Sequence, residues 1–255
     1  MVVLRARQLC KTFGGLQAIR DFNIDLKEKE LVGLIGPNGA GKTTIFNLLT
    51  GVYDPTGGSI HLMDKDLVNL KPYQITSLGI ARTFQNIRLF DELSVLDNIR
   101  VANHWYGSYP LTSAIFRLPS FFKGEEGMTD NALEILEILK LTHRKYEIAK
   151  NLPYGERRRL EIARALAAKP KVLLLDEPAA GMNPQETRDL MSLISSVRED
   201  FDLTILLIEH DMSLVMGVCE RIIVLDHGKT IAGGSPEEIK KNPKVIGAYL
   251  GEEAI

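Results

Sequence analysis

The sequence has little of what confines a chain to a specialised class. Cysteine occurs twice in 255 residues, at Cys10 and Cys219. The two are far apart and fit no ligand spacing, so no disulfide framework or cysteine metal site is expected, and both read as reduced thiols. Neither sign of charge is in excess, with 31 Lys and Arg against 33 Asp and Glu and a net charge of -2. That balance supplies no general basic field for a phosphodiester backbone, and nucleic acid is not expected as a partner. No stretch approaches the roughly 18 to 20 uninterrupted apolar residues of a membrane span. The opening residues, MVVLRARQLCKTF, alternate and do not resemble a signal peptide. Internal repeats and low-complexity tracts are also missing.

What is present is ordinary globular composition, 45% apolar and 25% charged. A chain of this length is expected to bury roughly 70 to 75% of its unfolded surface, so its core needs no covalent staple. Apolar residues alternate between Val2 and Leu26, most clearly at Phe22, Ile24 and Leu26, which predicts half-buried antiparallel strands. LVGLI (31–35), VLLL (172–175), TILLI (204–208) and RIIVL (221–225) are short unbroken apolar runs, the pattern of strands covered on both faces by helices. Together they predict an α/β layered core.

The long interval between the first two of these runs reads as helical. TDNALEILEILKL (129–141) places Ala132, Leu133, Leu136 and Leu139 at helical spacing, and SVLDNIRVANHWY (94–106) is a second candidate helix. Residues 105–122 hold six of the seventeen aromatics, which points to a local hairpin broken by Pro110 and Pro119 or to a surface covered by a partner. Near the end, Ser235, Pro236 and Glu238 form a strong helix start, and a further short helix is expected from Pro243 to a close near Gly251.

GPNGAGKT (36–43) fits GxxxxGK[ST] and follows a predicted buried strand directly. In this loop of Gly36, Pro37, Asn38, Gly39, Ala40 and Gly41 the glycines let backbone N–H groups turn toward one point, where the next helix adds its positive end. Lys42 is placed to reach the β- and γ-phosphates, Thr43 to ligate Mg2+, and Thr44 continues the cradle. Nucleotide binding follows from that pattern. VLLLDEP (172–178) delivers two acids at the C-terminal end of a buried strand, the edge where α/β sheets bind ligands. There Asp176 can support Mg2+ and Glu177 can polarise the water that attacks the γ-phosphate.

The order of phosphate loop, Gln85 in ARTFQ, LPYGERRRLEIARAL, LLLDEP and a histidine after a strand, His210, resembles the ATP-binding cassette (ABC) family of transporter ATPases over essentially the whole chain. The resemblance implies a P-loop NTPase core with a mixed sheet, an N-terminal antiparallel β subdomain and an inserted α-helical subdomain. The core would comprise residues 1–87 and 166–255, and the helical subdomain residues 88–165 with the signature motif. It further implies ATP with Mg2+, sandwiched between two cassettes. Phe13 matches the aromatic that stacks on adenine, Gln85 the residue that meets the metal and γ-phosphate, and His210 the histidine that holds the γ-phosphate. Leu152, Gly155 and Asn183 match positions that meet the nucleotide of the facing subunit.

Two departures from the family pattern stand out. Where LSGGQ is usual, this chain reads Leu152, Pro153, Tyr154, Gly155 and Glu156, and Asn183 replaces an aspartate. The first removes a serine hydroxyl and a backbone donor, and raises the expectation that the chain pairs with a paralogue instead of itself. The run Arg157, Arg158 and Arg159 opposes the helix macrodipole and reads either as a solvated basic face or as charge near a trans phosphate or a permease.

The loop around Gln85, the phrase LLLDEPAAGMNP, the aromatic insertion and the ending NPKVIGAYLG are similar to the ATPases of bacterial branched-chain (hydrophobic) amino acid importers. This implies integral membrane permeases as direct partners, a substrate-binding protein acting indirectly, and a cytoplasmic location on the inner face of the cell membrane. Arg88, Leu89 and Phe90 are expected to line the cleft that receives the permease. Alternatives from the residues are the ATPase of a lipid (lipopolysaccharide-type) export system, a soluble non-transport ABC ATPase and a phosphotransferase.

Overall fold

A computed structural model describes residues 1–103 and 109–250. Trp105, Tyr106 and the expected helix close at Gly251 lie outside the described residues. The chain divides into two compact units, Met1–Gln85 with Lys171–Ile255, and Asn86–Pro170.

The first unit holds two sheets. The alternating N-terminal segment forms the antiparallel pair β1 (Val2–Phe13) and β2 (Leu16–Lys27). With β4 (Gly57–Leu62) and β5 (Lys65–Asp66) they make a four-stranded sheet in the order β2-β1-β4-β5. Its inward residues include Leu4, Leu9, Phe22, Ile24 and Leu26, each buried at about 1.5–3 kcal/mol of transfer free energy per large side chain. They share one cluster with Ile45 and Phe46 of α1 (Lys42–Leu49), the helix behind the phosphate loop.

The second sheet is mixed. Its order is β10-β9-β3-β8-β7-β6, built from β3 (Leu31–Ile35), β6 (Ile80–Arg82), β7 (Val172–Asp176), β8 (Thr204–Ile208), β9 (Arg221–Asp226) and β10 (Lys229–Gly234). All neighbours are parallel except the β9–β10 hairpin. Every residue of β3, β7 and β8 is buried, which is why these strands read as unbroken apolar runs. Their register brings strand ends level, since Leu34 of β3 and Asp176 of β7 both lie opposite Ile208 of β8. Parallel strands therefore end together, and the segments that leave β3, β7 and β8 emerge on one edge. Helices α2 (Pro72–Leu78), α7 (Pro184–Asp200), α8 (Met212–Val218), α9 (Pro236–Lys240) and α10 (Pro243–Leu250) complete this unit. α9 begins as expected, with the Glu238 N–H donated to the Ser235 hydroxyl cap.

The second unit is helical, with α3 (Val95–Asn103), α4 (Leu111–Ile115), α5 (Pro119–Ile138) and α6 (Tyr154–Ala167). Ser94 caps α3, and Asn98 on that helix both accepts from the Phe90 N–H and donates to the Phe90 carbonyl, fixing the loop before it. Two sequence expectations change here. The helix expected from Thr129 starts ten residues earlier, because Pro119 occupies its first turn where a missing N–H costs nothing, and it ends before Leu139. The three-arginine run is not a solvated basic face. Arg158 is 0% exposed. It pairs with Glu161 one turn on, at 2.7 Å, while Arg157 pairs with Asp91. In the aromatic stretch Pro110 and Pro119 start α4 and α5, and Tyr109, Phe121 and Phe122 meet edge to face. Phe116 and Phe122 stay exposed.

Removing one partner of a buried ion pair leaves the other uncompensated. Glu161→Ala is expected to destabilise the chain by about 3 kcal/mol or more, whereas Arg158→Met with Glu161→Leu is expected to restore most of that loss. Urea unfolding midpoints of the single and double variants check both statements.

Candidate functional site

Residues 36–41 leave β3 at the shared strand edge and wrap toward α1. The turn depends on backbone that only glycine tolerates at two points. Gly36 has φ +151°, and a Cβ there would stand 2.1 Å from the Leu225 carbonyl oxygen; Gly41 has φ +106°, and its Cβ would strike Ile19. Gly41 also caps α1 without offering a side-chain acceptor, and no acid stands in the first turn. The N–H groups there are left for an anion.

Lys42 is 5% exposed, and its Nζ donates to the carbonyls of Gly36 at 2.7 Å and Pro37 at 3.0 Å. Burial lowers its pKa, and the charges of Glu177 and Asp176 work in the opposite direction. A buried ammonium on a glycine turn fits a ligand that brings negative charge. The recess here has a volume of about 200 Å³ and is lined by residues 38–44, Glu177 and His210.

Glu177, the first residue after β7, holds a left-handed backbone at φ +47°. A non-glycine residue rarely does so, and such strain collects at functional sites. Its carboxylate is gripped from two sides: Gln85 Nε2 donates to Oε2 at 2.7 Å, and His210 Nε2 lies 2.5 Å from Oε1. Asp176, buried beside it, forms a 2.6 Å ion pair with Arg82, whose other terminal nitrogen donates to Asn47 on α1. Next to His210, Glu209 accepts backbone N–H groups, and burial with repulsion from Glu177 raises its pKa.

The edge thus collects residues 36–44, Gln85, Asp176, Glu177 and His210. Phe13 and Asn183 do not line the recess. Phe13, 40% exposed on the four-stranded sheet, meets Tyr53 edge to face at 5.1 Å, with Lys11 Nζ 5.0 Å from its ring centre. Asn183 is the N-cap of α7, and its Oδ1 accepts from the N–H groups of Gln185 and Glu186. Leu152 and Gly155 belong to the helical unit. Leu152 is buried, Pro153 is the N-cap of α6 and Gly155 stands in its first turn. Arg88 and Phe90 sit in that unit too, where Arg164 stacks over the Phe90 ring and donates to the Arg88 carbonyl.

Sequence reasoning missed Arg82, Glu209, Tyr53 and Tyr249. Tyr249 stands on α10, and burial raises its pKa. Glu209 carried the same signal as the acid pair, an acid at the end of a buried parallel strand. Arg82 carried another, a charge on a short apolar strand. The tyrosines carried none.

Among the described residues, no group of three or more His, Cys, Asp or Glu is placed to hold a metal. Magnesium bound with a nucleotide needs only one or two protein oxygens beside the phosphates; Thr43 lines the recess and Asp176 immediately precedes Glu177, which lines it too.

Residues 19–180 match the family model for ABC transporters. The chain belongs to the ABC transporter family. A second family model, branched-chain amino acid ATP-binding cassette transporter, matches residues 229–255. The high-affinity branched-chain amino acid transport ATP-binding protein LivG of Escherichia coli K12 is 49% identical over 98% of each chain. The corresponding protein BraF of Pseudomonas aeruginosa is 46% identical over the same shares. Among solved structures, the ADP conformation of an ATP-binding cassette of an ABC transporter has a TM-score of 0.86, with 32% identity over 99% of this chain and 100% of that one. As an ABC ATPase cassette this chain binds adenine nucleotide and works with membrane permease subunits. No helix among its described residues is long and apolar enough to cross a membrane.

The observed work of Asn183 is capping. Asn and Asp cap about equally and Ala does not. Asn183→Ala is expected to cost about 1 kcal/mol and Asn183→Asp close to nothing. Thermal unfolding of the two variants distinguishes them.

Proposed function

We propose that this cassette is the ATP-hydrolysing subunit of an importer that carries branched-chain or other hydrophobic amino acids. One observation carries the chemistry: the recess of the phosphate loop has the Glu177 carboxylate on its wall, held between Gln85 and His210. Family and relatives support the transport reading, since the C-terminal match and the names of LivG and BraF concern branched-chain amino acids.

In this reading residues 36–44 cradle the triphosphate and Lys42 turns its ammonium from the loop carbonyls to the β- and γ-phosphates. Thr43, Asp176 and Gln85 would hold Mg2+, which when bound neutralises phosphate charge. Glu177 accepts the proton of the attacking water, while Gln85 and His210 keep its carboxylate aimed and meet the γ-phosphate. Phe13, with Tyr53 beside it, stacks on adenine.

Leu152, Gly155 and Asn183 act on the nucleotide of a facing cassette. Pro153 removes the usual serine there, which favours a paralogous partner over a second copy of this chain. Closure around ATP shifts the pair toward one state, and cleavage removes the bias. The work is delivered to integral permeases from the cytoplasmic face of the membrane, through a surface that includes Arg88, Leu89 and Phe90, while a substrate-binding protein selects the solute.

Glu177→Gln is expected to retain ATP binding and to lose at least about 10²-fold in hydrolysis, the scale for a positioned acid or base. Lys42→Ala should lose nucleotide affinity instead. Parental turnover in Glu177→Gln would remove Glu177 from its role. Uptake of labelled leucine, isoleucine and valine in cells carrying only the Glu177→Gln chain should stop, and uptake that continues would overturn the transport assignment.

A further inference from the structure

Glu209 takes no part in cradling the triphosphate or activating the water, yet it is 3% exposed and stands between the two segments that carry Glu177 and His210. It is the first residue after β8. Its Oε1 accepts the Ala179 N–H at 2.7 Å and its Oε2 accepts the His210 N–H at 3.1 Å. The Asp211 N–H is a third donor to the same carboxylate. Ala179 lies two residues beyond Glu177, so this one side chain ties the segment leaving β7 to the segment leaving β8. Beside that clamp, the His210 imidazole meets the Glu177 carboxylate.

We propose that Glu209 is a positioning residue that locks the backbones after Glu177 and around His210 into one frame, so that imidazole and carboxylate stay in register during hydrolysis. This role rests on the proposed work of Glu177 and His210 in ATP cleavage.

Its physical basis is that a second acid beside Glu177 is costly. Burial and the Glu177 charge both penalise the Glu209 carboxylate, and a neutral side chain would fill the space without either penalty. What a neutral side chain cannot do is accept N–H groups from two separate segments with two equivalent oxygens. Glutamine offers one oxygen and turns an NH2 toward the other donors, and aspartate is one methylene short of spanning Ala179 and His210. A shift of the Ala179 segment is passed to the backbone of His210 through a charged acceptor with no slack.

The test compares Glu209→Gln, His210→Ala and the double variant in the complex that copurifies with the chain, after thermal unfolding has shown each to be folded. Glu209→Gln is expected to slow turnover by about 10-fold or more, with the equilibrium affinity for Mg-ATP within about two-fold of the parent. The double variant is expected to be no slower than His210→Ala, within about two-fold, because Glu209 acts through His210. If Glu209→Gln does not fold, Glu209→Asp carries the same comparison.

His210→Ala slowed with Glu209→Gln at parental turnover would overturn this inference alone, as would losses that multiply in the double variant or an affinity that falls in step with turnover. Parental turnover in His210→Ala would overturn the proposed role of His210 itself, and this inference with it.

Discussion

Three carboxylates, Asp176, Glu177 and Glu209, are withdrawn from water at one edge of the central sheet, where an unpaired charge would cost several times what an ordinary hydrogen bond returns. Each is held differently. Asp176 has the Arg82 guanidinium, Glu177 has the amide of Gln85 and the ring of His210, and Glu209 has backbone N–H groups. Because β7 and β8 are parallel neighbours in register, these partners come from strand ends and loops that already face one another. The requirement to satisfy buried charge therefore binds together segments far apart in sequence.

Opposite these acids the phosphate loop presents the complementary situation. Its lysine is buried against carbonyls, its helix start has no side-chain cap, and its glycines allow backbone to pass where a Cβ could not. A polyanion entering there would take up donors on one wall, while the acids on the other act on whatever lies at its end. A barrel of alternating strands could not do this, since it is the parallel order β3-β8-β7 that points three C-terminal ends at one place.

The helical unit obeys the same rule about charge with other means. Arg158 is taken inside because Glu161, one turn later, accompanies it. Periodicity showed α3 and the C-terminal half of α5 by their apolar residues, but it said nothing of this pair, since a run of three arginines has the same composition whether it meets water or a carboxylate. Likewise the exposure of Phe116 and Phe122 beside the packed Tyr109 and Phe121 depends on how α4 turns into α5, not on aromatic content.

By itself the sequence determined the strand types, the glycine turn before α1, the acid pair at the end of β7 and the helix start at Ser235, because each follows from a local period, a restricted dihedral or a cap. Tertiary structure alone decided that Glu177 rests between Gln85 and His210, that Arg82 answers Asp176, and that the Ala179 N–H meets Glu209. Those outcomes depend on which strand ends are neighbours and on which buried donors find which acceptors. Such matches are made across the fold after the chain has collapsed, and no window of neighbouring residues contains both partners.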